Sequence, residues 1–279
     1  MMAADPFEHV MDTHKWHFFE NWDILFHLPK LHLPLYGDFQ VTKFMVLELV
    51  VAILIIAIYV PIARWASTGE PPNGGPVKRF IWNTFECLLT WTRANVIEPN
   101  VGHHDADRFV PFLWTIFLFV LFCNLFGMIP YLGSPTASIC VTGVLALCSF
   151  FVIHVGAMFK LGVGGYLKSY VPHVEAPFGM GYLIVPLIVV IEVIGQFIKT
   201  FVLAVRLFAN MFAGHMVLSV ILLFIVMAKG TYMFWPVTIG SVLGVTALSL
   251  LELFVAFLQA YIFMFLTALF LGMALHPQH

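Results

Sequence analysis

Between Tyr182 and Ala228 the chain runs for about 47 residues with no proline or turn cluster near its middle, and that stretch restricts the fold more than any other. As one helix it would be ~70 Å long at 1.5 Å per residue. That is about twice the ~20 residues needed to cross a ~30 Å bilayer core. Dividing it at its polar residues, Val205–His215, leaves only Met216–Ala228, too short to cross. Trp235–Leu275 poses the same problem, at ~60 Å and again with no breaker near its middle. Two long, steeply tilted or bent helices joined at Lys229-Gly230-Thr231-Tyr232 satisfy both lengths. Tilt beyond ~20° needs a packing reason, such as a curved protein surface beside the hairpin.

The solvent for such helices follows from composition. The chain is 61% hydrophobic and 10% charged, against about 25% charged in soluble domains. The polar surface needed to stay in water is missing, so an integral membrane protein is expected. A net charge of −2 points to no nucleic-acid partner. Cys87, Cys123, Cys140 and Cys148 have no C-x-x-C spacing and read as structural thiols. The first forty residues are polar and contain His9, His14, His17, His27 and His32. They lack the basic, apolar and small-residue regions of a signal peptide, and the Arg/Ser-rich character of a transit peptide.

An all-α membrane protein is therefore expected, with a polar tail over residues 1–40 and a first transmembrane helix within 41–64, about Phe44–Ala63. A loop with an amphipathic helix fills 65–107, and a membrane domain follows over 108–279. In the loop, Val77–Val96 places Phe80, Ile81, Phe85, Leu88 and Leu89 against Lys78, Arg79, Asn83, Glu86 and Arg93, as a helix lying at the membrane interface would. Two ordinary spans, Phe109–Ile129 and Ala137–Phe159, flank a tight turn at Pro130–Pro135, and a polar loop covers Lys160–Pro177. Arg64, Lys78, Arg79, Arg93 and Arg108, with Lys160 and Lys168, put their loops in the cytoplasm by the positive-inside rule. The N-terminus then lies outside and the C-terminus inside.

At about 100° per residue, Glu192, Gln196, Lys199, Arg206 and Asn210 fall within roughly 40° of one line. On the second long helix Glu252 and Gln259 share a face, while His215 points away from the Arg206 line. A charge at bilayer depth costs roughly 2.5–3.5 kcal/mol or more, so aligned ionisable groups mark an ion path rather than helix glue. Arginine cannot escape by deprotonation. Gln196 or Asn124 alone reads as an interhelical hydrogen bonder. Glu48 fits a snorkelling carboxylate, His154 a packing residue, and Lys199 lies within reach of the cytoplasmic interface. His14-Lys15-Trp16-His17 and His103-His104-Asp105-Ala106-Asp107 read as solvated loops rather than metal sites. No G-x-S-x-G, Walker or H-E-x-x-H motif is present, so no cofactor is expected.

The run Lys199-Thr200-Phe201-Val202-Leu203-Ala204-Val205-Arg206-Leu207-Phe208-Ala209-Asn210-Met211-Phe212-Ala213-Gly214-His215 resembles the arginine helix of subunit a of rotary F-type ATP synthases. Leu258-Gln259-Ala260-Tyr261-Ile262-Phe263 is similar to that family's second motif. Asn124-Leu125 with Pro130, Pro135-Thr136-Ala137, and Glu192 fourteen residues before the arginine also match. The resemblance covers about Arg108 to Leu275.

It implies a non-catalytic proton-translocating subunit beside a rotating ring of c subunits, with two offset half-channels coupling proton flow to ATP synthesis. Arg206 would face the ring carboxylate and favour its proton loss. Gln259 and Asn210 would lie near it. His215 and Glu252 would form the outer inlet relay, and Glu192 would stand near the inner exit. Peripheral-stalk b subunits, the F1 catalytic head (indirectly) and membrane lipid are the other partners implied, in a bacterial plasma (inner) membrane. Many relatives carry a carboxylate where His215 stands and a histidine where Glu252 stands. Either order leaves a pair able to pass a proton, so the two should lie close together across the hairpin. Gly127 and Cys140 stand where some relatives have polar residues. A Na⁺-coupled form of the same subunit and a self-contained ion transporter are the alternatives.

Overall fold

The computed structural model describes residues 15–16, 26–27, 30–33, 37–40, 42–68, 76–129, 132–169 and 181–276. The His14/His17 pair, the breakers at 69–75, Pro130-Tyr131 and residues 170–177 lie outside the described residues. Seven α-helices are described: α1 (Lys43–Thr68), α2 (Pro76–Thr92), α3 (Glu98–Val101), α4 (His103–Gly127), α5 (Ile139–Ser169), α6 (Gly181–Ala228) and α7 (Phe234–Leu275). A π-helical turn at Arg93–Ile97 joins α2 to α3, and a 3-10 turn, Pro135–Ala137, precedes α5. Five of these helices are long and apolar enough to cross a membrane. Such all-round apolarity belongs to helices whose solvent is lipid or protein.

The two long segments are each one unbroken helix, of 48 and 42 residues. Gly230, at φ 92°, supplies the left-handed residue between them. Two expectations need correction. The polar stretch His103–Asp107 is not a loop but the first turn and a half of α4, which begins six residues before Phe109. Asp105 suits the positive end of that helix. The loop placed at Lys160–Pro177 is helical as far as Ser169, with a break at Gly162 (φ 73°, ψ 158°). In a continuous helix, residues twelve apart stand ~18 Å from each other. At this break the chain turns back, so that His154 Nδ1 and Tyr166 Oη share a hydrogen bond of 2.5 Å. The tail contains two short antiparallel strand pairs. Lys15–Trp16 (β1) pairs antiparallel with Phe26–His27 (β2), and Lys30–Leu33 (β3) with Gly37–Gln40 (β4). In β3 leucines alternate with Lys30 and His32, the period of a strand.

The chain forms two compact units, and each long helix contributes a segment to both. The first comprises Met1–Pro61, Leu118–Thr142 and Arg206–Tyr261. Its core takes Phe44, Leu47, Val51 and Ile55 from one face of α1, Leu118, Leu121 and Cys123 from α4, and Leu207 and Met211 from α6. From α7 it takes Ala256 and Ala260, small enough for close helix approach. The second unit comprises Ile62–Phe117, Gly143–Val205 and Ile262–His279. Here Phe263, Met264, Ala268, Leu271 and Leu275 of α7 are buried, as are Ile97 and Val101. A Cβ on Gly272 would meet Asn100 O at 1.9 Å, so only glycine allows this approach. Around the same corner Arg93 pairs with Glu98 and Asp107, and Lys160 with Asp105. His276 Nε2 lies 3.2 Å from Val101 O. Exposed pairs of this kind contribute little, about 0–1 kcal/mol each; the apolar packing of α7 is the larger effect.

Candidate functional site

In the first unit the unbroken α6 carries Leu207 and Met211 into the core. Arg206 and Asn210 stand one residue before each and are half-buried. Among the described residues Arg206 has no hydrogen-bond or ion-pair partner. Its guanidinium holds five donors that cannot be removed by deprotonation. Gln259, 6% exposed on α7, also has no hydrogen-bond partner among the described residues.

About two and a half turns beyond Arg206, α6 presents His215, and α7 presents Glu252 across the hairpin. His215 Nδ1 lies 3.3 Å from Glu252 Oε1, with side chains 12% and 8% exposed. The closeness expected from their exchanged types is what the structure has. Gly214 makes room for the carboxylate: a Cβ there would stand 2.7 Å from Glu252 Oε1. The pair is within ion-pair distance, yet Glu252 Oε1 and His215 Nε2 are both buried without a hydrogen bond. Buried polar groups left in that state cost about 1–3 kcal/mol each.

Next to this pair runs a chain of neutral groups. Asn124, fully buried on α4, donates from Nδ2 to Ala256 O on α7 at 3.3 Å and accepts from Thr136 Oγ1 at 2.7 Å. Ser134 Oγ lies 2.7 Å from Thr136 Oγ1 and 3.3 Å from Cys123 O. Asn124 thus does join helices, as its reading alone suggested. Ser134 was not singled out as a site residue by the sequence, and Thr136 entered only within the matching run Pro135-Thr136-Ala137.

In the second unit Gln196 Nε2 donates to Glu192 Oε1 at 3.1 Å on an exposed face of α6. Lys199 Nζ stands 5.6 Å over the Phe270 ring, a cation–π contact. His154 is a satisfied packing residue: it bonds Tyr166 and packs edge-on against Phe150, with centroids 3.9 Å apart. Among the described residues no cluster of three or more His, Cys, Asp or Glu side chains could hold a metal.

Five apolar helices, with a histidine and a carboxylate buried together between the longest two, define the class: an integral membrane protein with ionisable groups held inside its helical bundle. The sequence profile of the family described as ATP synthase A chain matches residues 45–272, and the chain belongs to that family. It is 39% identical to ATP synthase subunit a of Chloroherpeton thalassium, over 99% of this chain and 78% of the relative. It is 38% identical to the subunit of Myxococcus xanthus, over 87% of this chain and 75% of the relative. With that of Anaeromyxobacter dehalogenans it shares 46% identity over 71% of its length, spanning half of that relative.

Proposed function

We propose that this chain is the proton-channel stator subunit of an F-type ATP synthase, non-catalytic itself, with two offset half-channels facing a ring of c subunits. The observation that carries the reading is the His215–Glu252 pair, buried between α6 and α7 at 3.3 Å. An imidazole and a carboxyl at that distance can pass a proton between them. Arg206 supports the second half of the mechanism. A permanent charge without a partner among the described residues suits a counter-ion on another chain, a ring carboxylate that loads and unloads as the ring turns. Its field favours proton loss from that carboxylate and blocks direct passage between the half-channels.

In this account Asn210 and Gln259 set the polar surroundings of Arg206. Glu192 with Gln196 and Lys199 borders the inner exit, where Glu192 is exposed. Asn124 belongs to the lining of the outer inlet. The tail faces outside and the C-terminus inside a bacterial plasma membrane, and the long hairpin tilts against the ring. The α2 helix lies along the interface, which suits the 73% exposure of Phe80 and 49% of Trp91. Peripheral-stalk b subunits hold the chain against rotation and link it to the F1 head.

The test is a double-mutant cycle on proton flux in membranes that hold the whole complex. His215→Ala and Glu252→Ala should each lower ATP-driven pumping by tenfold or more, and the double variant should lose no more than the worse single one. Independent, multiplicative losses would contradict a shared relay.

A further inference from the structure

The ring of His215 faces Glu252 through Nδ1, and its other nitrogen, Nε2, is buried with no hydrogen-bond partner. A Cβ on Gly127 would stand 3.2 Å from that Nε2 and 2.8 Å from Ser134 Oγ. The nitrogen and the hydroxyl therefore lie at most about 6 Å apart, across a narrow space beside the bare Cα of Gly127. Ser134, its Cβ 2.4 Å from where a Cβ on Gly127 would stand, fills the place a side chain at 127 would take. Ser134 itself is 1% exposed, so its hydroxyl must find partners within the protein.

The hydrogens around Ser134 can be assigned by counting. Thr136 Oγ1 has one hydrogen and gives it to Asn124 Oδ1. The 2.7 Å contact between the two hydroxyls then has Ser134 as donor. Cys123 O, at 3.3 Å, competes for the same hydrogen. Ser134 Oγ keeps a lone pair free, and a protonated Nε2 across the space is a donor in want of an acceptor.

We infer that Ser134 is a positioning residue for His215. Its hydroxyl accepts from Nε2–H through one bridging water beside Gly127. That bond fixes the Nε2–H tautomer and leaves Nδ1 bare toward Glu252. A proton on the Glu252 carboxyl can then pass to Nδ1: the O–H bond breaks, the Nδ1–H bond forms, and carboxylate and imidazolium remain. No proton has to leave Nε2 in that step. The functional consequence rests on the relay reading of His215 and Glu252; the tautomer does not.

Nitrogen-15 NMR of histidine-labelled whole complex in membranes, with the His215 signal identified by its loss in His215→Ala, reads the tautomer. At a pH where the ring is neutral, Nε2–H is expected in the parent and a mixture in Ser134→Ala. Thr136→Val, which leaves the Ser134 hydroxyl in place, should keep Nε2–H. ATP-driven pumping should fall about three- to tenfold in Ser134→Ala, the effect of one hydrogen bond. An Nδ1–H tautomer in the parent overturns the inference, as does an unchanged signal in Ser134→Ala. If Ser134→Ala fails to assemble, the parent signal alone decides. Undiminished pumping in His215→Ala would sink the relay reading and leave the tautomer result standing on its own.

Discussion

Thr136 gives its one hydrogen to Asn124, and Asn124 reaches Ala256 O on α7. Thr136→Val would leave Asn124 Oδ1 unpaired in a fully buried site. In soluble cores that costs about 1–3 kcal/mol, but interhelical hydrogen bonds in membranes average ~0.6. The membrane value should govern here, so Thr136→Val is expected to lower stability by about 0.6 kcal/mol while pumping continues. Thermal unfolding in detergent measures the first and vesicle acidification the second. Arg206, His215 and Glu252 were legible in the sequence because an ionisable residue in an apolar run has no ordinary reason to be there. Ser134 was not, and Thr136 and Gly127 entered only through the family resemblance. Small neutral residues are common in any turn, and their value lies in which side chain from a distant helix meets them.

At the scale of elements, α6 and α7 could be read from length alone, since neither had a breaker where a second crossing would need one. The α4 start was hidden by its polarity: His103–Asp107 looks like a loop until Asp105 is paired with Lys160 and Asp107 with Arg93. The break in α5 was hidden by a glycine-rich run in which no one glycine stands out. Two substitutions separate the kinds of constraint. At Gly162 a Cβ meets nothing within 4 Å, so Gly162→Ala carries only the backbone penalty of its positive φ and extended ψ, about 1–3 kcal/mol. At Gly272 the obstacle is the backbone of Asn100 at 1.9 Å, which cannot rotate away. Gly272→Ala should therefore be the more damaging, at about 3 kcal/mol or more. The amount of assembled complex in membranes and its melting temperature should rank the two variants in that order. The reverse order would contradict the packing of α7 on α3.

Over the whole molecule, large apolar side chains stay exposed along both long helices, among them Ile191 at 60%, Phe201 at 66%, Leu250 at 65% and Phe254 at 65%. A water-soluble chain would not tolerate such a surface. On the proposed function lipid and the ring together cover it, and Arg206 stands on the side that meets the ring. The chain is expected to co-purify with an oligomeric ring in mild detergent. Reconstituted without partners, it should show no ATP-driven transport. The most direct measurement is ATP-driven proton pumping by Arg206→Ala in membranes that hold the complete complex. Pumping should be lost while the catalytic sites still hydrolyse ATP; pumping at the parent rate would contradict the role given to Arg206 and the function built on it.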